Sequence, residues 1–198
     1  MFAVFLMKDD RFNIAFEKAN EVLTQLSYKG NDMVDTDEVI KIASRITGRH
    51  IKIFELDFSE LSTKNADYSN YGAMMRVEKK ENGQAHIVIN SKRDPVFQRF
   101  SLMHEIGHLI TDSFSSETEK YILSTQIQFD LTNISEEQYN KSNFLLKEQI
   151  CNVFALLILI PSKILFKKLT ECETIKDVSN FFGVTKDAVI SRLMLGDR

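Results

Sequence analysis

His104, Glu105 and His108 are the residues of this chain whose types and spacing most directly suggest chemistry. They form the run His104-Glu105-Ile106-Gly107-His108, two imidazoles four positions apart with an acid beside the first. On a helix of 3.6 residues per turn, positions four apart lie about 40° apart on one face, so both rings can reach one metal ion. Glu105 would lie alongside as acid and base for a water molecule activated by that ion. With 4 His and 15 Glu in 198 residues, chance supplies this pattern roughly 0.006 times in such a chain. The competing reading is a helix whose two histidines are only buried and hydrogen-bonded.

A catalytic zinc usually takes three protein ligands and a water, so a third ligand is required. Asp112 is the nearest acid, but on a continued helix it would stand about 12 Å from His104 along the axis, too far to share an ion. Glu117, Glu119, Glu136 and Glu137 lie in polar surroundings where a solvated carboxylate needs no special role. Glu148 instead enters a run that becomes Val153 to Ile160, and an acid facing an apolar interior needs a partner. Glu148 and Asn152 are four apart and share a face. Cys151 and Ala155 beside them are small enough to let this helix come close to the first. Glu148 is therefore read as the third ligand and Asn152 as an amide that orients one imidazole. The alternative is that Glu148 merely begins its helix at the surface.

The elements that must hold these residues are legible in outline. Phe12, Ile14, Phe16, Ala19, Val22, Leu23 and Leu26 recur at helical spacing before a turn at Lys29-Gly30-Asn31-Asp32. Asp35 with Glu38 marks a second helix start, and Gly48 its end. Ile51–Leu56 reads as a strand. Ala73–Val77 and His86–Ile89 read as strands flanking a hairpin turn at Glu81-Asn82-Gly83. Asp94-Pro95 is an N-cap followed by proline at the first helical position. That start predicts a helix to about Ile110, with Phe97, Phe100, Met103 and Ile106 inward. After a polar stretch from Asp112 to about Lys141, an apolar helix runs to Ile160 and ends at Pro161-Ser162. Three short helices close the chain.

The whole is expected to be α+β, with residues 1–160 as the main domain and 161–198 as a helical subdomain packed on it. Apolar residues make up 43% of the chain against only 7 Gly and 2 Pro, which excludes a disordered or collagenous protein. A net charge of -3 is the wrong sign for a protein that holds nucleic acid by its phosphates. The longest apolar run, Val153 to Ile160, is less than half of the roughly 20 residues a spanning helix needs. Met1 to Met7 lacks a basic leader and meets Lys8-Asp9-Asp10 too early for a secretory signal. Cys151 and Cys172 form neither a C-x-x-C pair nor a disulfide framework. Location in the cytoplasm, away from membranes, is expected.

Arg99 to Ile110, then Glu148-Gln149-Ile150-Cys151-Asn152-Val153-Phe154-Ala155 and Pro161, resemble the ImmA/IrrE family of metallopeptidases. The strand ending Ile87-Val88-Ile89-Asn90 and the tail Val178 to Leu193 fit the same pattern. The resemblance covers roughly residues 70–195. It implies a zincin-like fold, zinc (or manganese) held by His104, His108 and Glu148, and Glu105 as acid and base. It also implies cleavage of a helix-turn-helix repressor, commonly one encoded nearby in a prophage or mobile element. Two departures stand out: Cys151 where the family usually has Ala, and a long polar insertion, 112–141, that could form a lid or substrate rim. Two other functional readings keep the metal site: a non-proteolytic antirepressor that sequesters the repressor, and a toxin-like component of a two-gene module.

Weaker signals remain. Tyr71, Tyr121, Tyr139 and His86 are candidates to stabilise an oxyanion, with packing the commoner role for each. His86–Ile89 is either an edge strand that pairs with extended substrate or an interior strand. His50 reads as a loop or strand-edge residue. Thr174, the turn Phe182-Gly183-Val184-Thr185 and the helix from Lys186 to Met194 resemble a helix-turn-helix. From Thr174 to Arg198, however, four Lys or Arg face three Asp, a feeble charge for a DNA reader. Scaffolding or partner docking accounts better for these helices.

Overall fold

A computed structural model describes residues 10–26, 33–61, 68–69, 71–78, 83–111, 122–124 and 143–196. Helix α1 (Asn13–Gln25) follows a single 3-10 turn and buries Ala15, Ala19 and Val22 at helical spacing. Helix α2 (Thr36–Thr47) begins as its sequence predicts: the Asp35 carboxylate accepts from the amides of Asp37 and Glu38. It ends at Gly48, whose φ of 64° is a left-handed conformation that suits a residue without Cβ.

Strands β1 (His50–Leu56), β2 (Ala73–Val77), β3 (Gln84–Asn90) and β4 (Ile122–Ser124) form one mixed sheet in the order β1-β3-β2-β4. β1 runs parallel to β3, with Ile53 beside Ile87; β2 lies antiparallel to β3 and to β4. The antiparallel β2–β3 pair is the expected hairpin, while its turn residues 79–82 lie outside the described residues. β3 is therefore interior, which decides the reading of His86–Ile89 against an edge strand. The outer strands are β1 and β4, and His50 opens β1. The polar stretch after Ile110 gave no sign of β4; an Ile-Leu-Ser triplet is too short to register a period.

One sheet face is buried by Ala73, Met75, Ala85, Ile87 and Ile89. Helix α3 (Pro95–Ile110) lies against the sheet, and a second long helix, α4 (Asn143–Leu159), lies against α3 and α1. From Ile150 to Ile160 every residue of the α4 run is buried, so no amphipathic stripe is left and the helix is central to the core. Among the described residues no single helix is long and apolar enough to cross a membrane. The chain bends by 57° between α4 and α5 (Ser162–Glu171), where Pro161 ends the first helix.

Helix α6 (Ile175–Phe182) opens with a capping box between Thr174 and Asp177, and α7 (Lys186–Leu195) with a Thr185 cap. Gly183 takes φ 60° in the turn between them, as the helix-turn-helix reading requires. Arg192, counted above among the basic residues of this tail, is only 2% exposed. Its Nε donates to Ile160 O at 3.1 Å and its Nη1 to Gly196 O at 2.8 Å, and Nη2 reaches Ser162 Oγ. Arg192 thus caps the end of α4 from α7, and its charge is withdrawn from the surface. Arg192→Met, which keeps the stem but strands these acceptors, is expected to cost about 2–3 kcal/mol in urea denaturation. A loss below about 0.5 kcal/mol would contradict the role, since that is the range of ordinary surface changes.

Candidate metal centre

Helix α3 carries the two imidazoles. Asp94 Oδ1 accepts from Val96 N at 2.9 Å and Pro95 fills the first turn, fixing where the helix starts. From Leu102 to Ile110 every residue is buried. Phe97 does not follow the expected inward set: it is 37% exposed and lies under the Arg93 guanidinium, 5.2 Å from the ring centre. It sits in the first turns of α3, before the helix enters the core, and the cation–π contact covers one ring face.

Helix α4 supplies the opposite wall. Glu148, Cys151 and Asn152 are all buried on it, so Glu148 does not begin the helix at the surface. Glu148 Oε2 stands 3.1 Å from His104 Nε2, and its Oε1 stands 3.2 Å from His108 Nε2. The two Nε2 atoms are 3.1 Å apart, with ring planes at 76°. One ligand atom from each of the three residues lies within 4.8 Å of the others. Zinc bonds of about 2.0–2.1 Å in tetrahedral directions place neighbouring ligand atoms ~3.3 Å apart, close to these separations.

The amide of Asn152 makes the chemistry specific. His104 Nδ1 is 2.8 Å from Asn152 Oδ1, an atom that can only accept, so Nδ1 must donate. The neutral ring then turns a lone pair at Nε2 toward the Glu148 carboxylate and His108 Nε2. Three electron-rich atoms converge on one point, which is a favourable arrangement only around a cation. His108 lacks such a partner: its buried Nδ1 has no hydrogen bond among the described residues. Glu105 is fully buried next to His104, near enough for its charge to favour the imidazolium.

Electrostatics follow from this packing. Burial pushes His104 downward, but when its Nε2 carries a proton the hydrogen bond to Glu148 and the charges of Glu105 and Glu148 outweigh that, and the net direction is up. For His108 burial prevails and the direction is down, aided by the positive charge on His104. Burial alone would raise Glu148, yet its bonds to both imidazoles hold it at about 2. The carboxylate is therefore ionised, as a metal ligand must be.

The structure brings together His104, His108, Glu148 and Asn152, with Glu105 adjacent. His86 is set apart: it alternates with buried Ala85 and Ile87 onto the other sheet face, bonds Gln84 and meets the Phe54 ring edge. Tyr71 is described, with its carbonyl accepting from Asn90. Tyr121, Tyr139, Asp112, Glu117, Glu119, Glu136 and Glu137 lie outside the described residues, as does most of the 112–141 insertion. Two structural contributors escaped the sequence reading. Asn90, only 1% exposed, donates to the carbonyls of Ser69 and Tyr71 and accepts from Lys92 N, pinning the chain before β2 and the turn into α3. Gly107 sits where α3 and α4 touch: a Cβ there would stand 3.1 Å from Phe154 Cδ1 and 3.2 Å from Cys151 Cα.

The family described as the IrrE N-terminal-like domain, Peptidase M78, matches residues 48–194, about three quarters of the chain. The chain belongs to that family. No curated protein matches it significantly. For Peptidase M78 the α+β core, with a buried His-His-Glu group between two helices, is a zincin-like arrangement. The match runs through α7, so the closing helices are inside the family region as expected. In this Peptidase M78 chain, Asn152→Ala is expected to weaken metal affinity about 10–100-fold in a chelator-competition titration. A loss smaller than about threefold would mean that the amide does not orient His104.

Proposed function

We propose that this chain is a zinc-dependent endopeptidase that cuts a specific helix-turn-helix repressor and so relieves repression. The observation that carries the reading is the convergence of His104, His108 and Glu148 on one point with Glu105 buried beside them. His104, His108 and Glu148 would hold a divalent ion, zinc or manganese, which would supply Lewis acidity toward the attacking water and the scissile carbonyl. Asn152 fixes the His104 tautomer, and Glu148 contributes the negative charge. Glu105 takes the proton of the attacking water and passes it to the departing amine, which balances the hydrolysis. The buried walls of α3 and α4 strengthen each of these interactions by excluding solvent.

The proposed substrate is encoded in the adjacent reading frame of a prophage or mobile element. Mixing the metal-loaded chain with that product is expected to yield two fragments, by mass spectrometry, whose masses sum to the substrate plus one water. Release of DNA from an intact repressor would overturn proteolysis in favour of the antirepressor reading. One feature favours that second reading: Ile190, Leu193 and Met194 are exposed at helical spacing on α7, a stripe that suits a groove on a protein. The same stripe offers few of the polar side chains that read base edges.

A further inference from the structure

Gly107 opens the last turn of α3, where a glycine costs up to about 1 kcal/mol relative to alanine in helix stability. Its φ is not left-handed, so conformational freedom does not explain it. Space does. A Cβ at 107 would come within 3.1 Å of Phe154 Cδ1, 3.2 Å of Cys151 Cα and 3.3 Å of Cys151 Cβ. Phe154 and Cys151 are both fully buried, and Cys151 Cα is backbone, which can retreat only by moving α4. Glu148 lies one turn before Cys151 on that helix and Asn152 directly follows it. Any displacement of α4 at this contact is therefore transmitted to the third ligand and to the amide that orients the first.

We infer that Gly107 is a positioning residue that sets the distance between the two ligand helices, and with it the size of ion the site prefers. This rests on the metal-site reading above. The helices meet at glycine on one side and at the backbone and Cβ of Cys151 on the other, so they lie closer than a Cβ at 107 fits without displacement. Narrow spacing favours short bonds and hence zinc over a larger divalent ion. A methyl at 107 pushes the Glu148 carboxylate a few tenths of an ångström from the imidazoles, a change that a larger ion tolerates.

The test is a competition titration of the full chain with Zn2+ and, separately, with Cd2+ as the larger probe. Gly107→Ala is expected to lower zinc affinity at least about tenfold while cadmium affinity changes less than about threefold. The double variant Gly107→Ala/Cys151→Gly removes only the 3.3 Å contact with Cys151 Cβ and keeps those with Phe154 Cδ1 and Cys151 Cα, so the ratio is expected to return only part of the way toward the parent value. Equal losses for both ions, or no change in either, would overturn the inference. If Gly107→Ala does not fold by circular dichroism, the double variant decides: a folded protein weakened more for zinc than for cadmium supports the inference, and one that is unfolded, unchanged or equally weakened for both ions overturns it. A parent chain that binds neither ion overturns the metal reading itself, a distinct outcome from a parent that binds both and a variant whose ratio stays fixed.

Discussion

Glu105→Gln is expected to lower peptide-bond hydrolysis by about 10²–10⁴-fold, the usual contribution of a positioned acid-base group. Metal content should stay at the parent level, because Glu105 stands beside the His104/His108/Glu148 group and not within it. The substitution preserves side-chain volume at a position with no exposed surface, so packing is retained and the carboxylate alone is removed. Its charge favours protonation of His104, which competes with a metal, but also attracts the metal itself, so the two effects of its removal on zinc affinity oppose each other. Turnover measured at saturating zinc checks this. Activity within about threefold of the parent would remove Glu105 from the chemistry.

Glu148→Ala is expected to have the larger effect on the metal. Loss of an outer partner of a ligand costs about 10–100-fold in affinity, so loss of a ligand itself should exceed 100-fold. The same variant leaves His104 Nε2 and His108 Nε2 3.1 Å apart with no carboxylate bridging the two rings. The pH dependence has a definite sign. Glu148 is held at about 2, so the carboxylate stays ionised throughout the mildly acidic range and does not set the acid limit. The imidazoles do: His104, raised above its ordinary value, takes up a proton first as pH falls, and His108, lowered, follows. Zinc should thus be retained above the imidazole range and lost through it, well above pH 2. Zinc content of Glu148→Ala at the parent level would move the third ligand elsewhere.

Local rules made most of this legible. Asp94-Pro95 fixed the start of α3, and the four-residue spacing of His104 and His108 placed both rings on one side of it. Glu148 could be singled out because an acid entering the apolar run Val153 to Ile160 demands a partner, and Asn152 followed from the same helical face. What local rules miss is contact between distant segments. The single clash-free approach of Gly107 to Cys151 depends on the path of α4, and nothing in the motif distinguishes a packing glycine from a filler. Arg192 misled in the other direction: charge counts treat it as surface, whereas the Ile160 carbonyl left at the Pro161 break and the Gly196 carbonyl after α7 draw it inside. Phe97 failed as a core residue because apolar periodicity continues into turns that lie beyond the sheet. β3 looked equally suited to an edge or the interior, since its alternation reports one buried face and says nothing about its neighbours.

X-ray absorption at the zinc edge, on the chain purified with its metal, addresses the ligand set directly. The account predicts one ion per chain with two imidazole nitrogens and a carboxylate oxygen in its shell, at bonds of about 2.0–2.1 Å, and one imidazole fewer in His108→Ala. A shell without imidazoles, or one unchanged in both His108→Ala and Glu148→Ala, would contradict it.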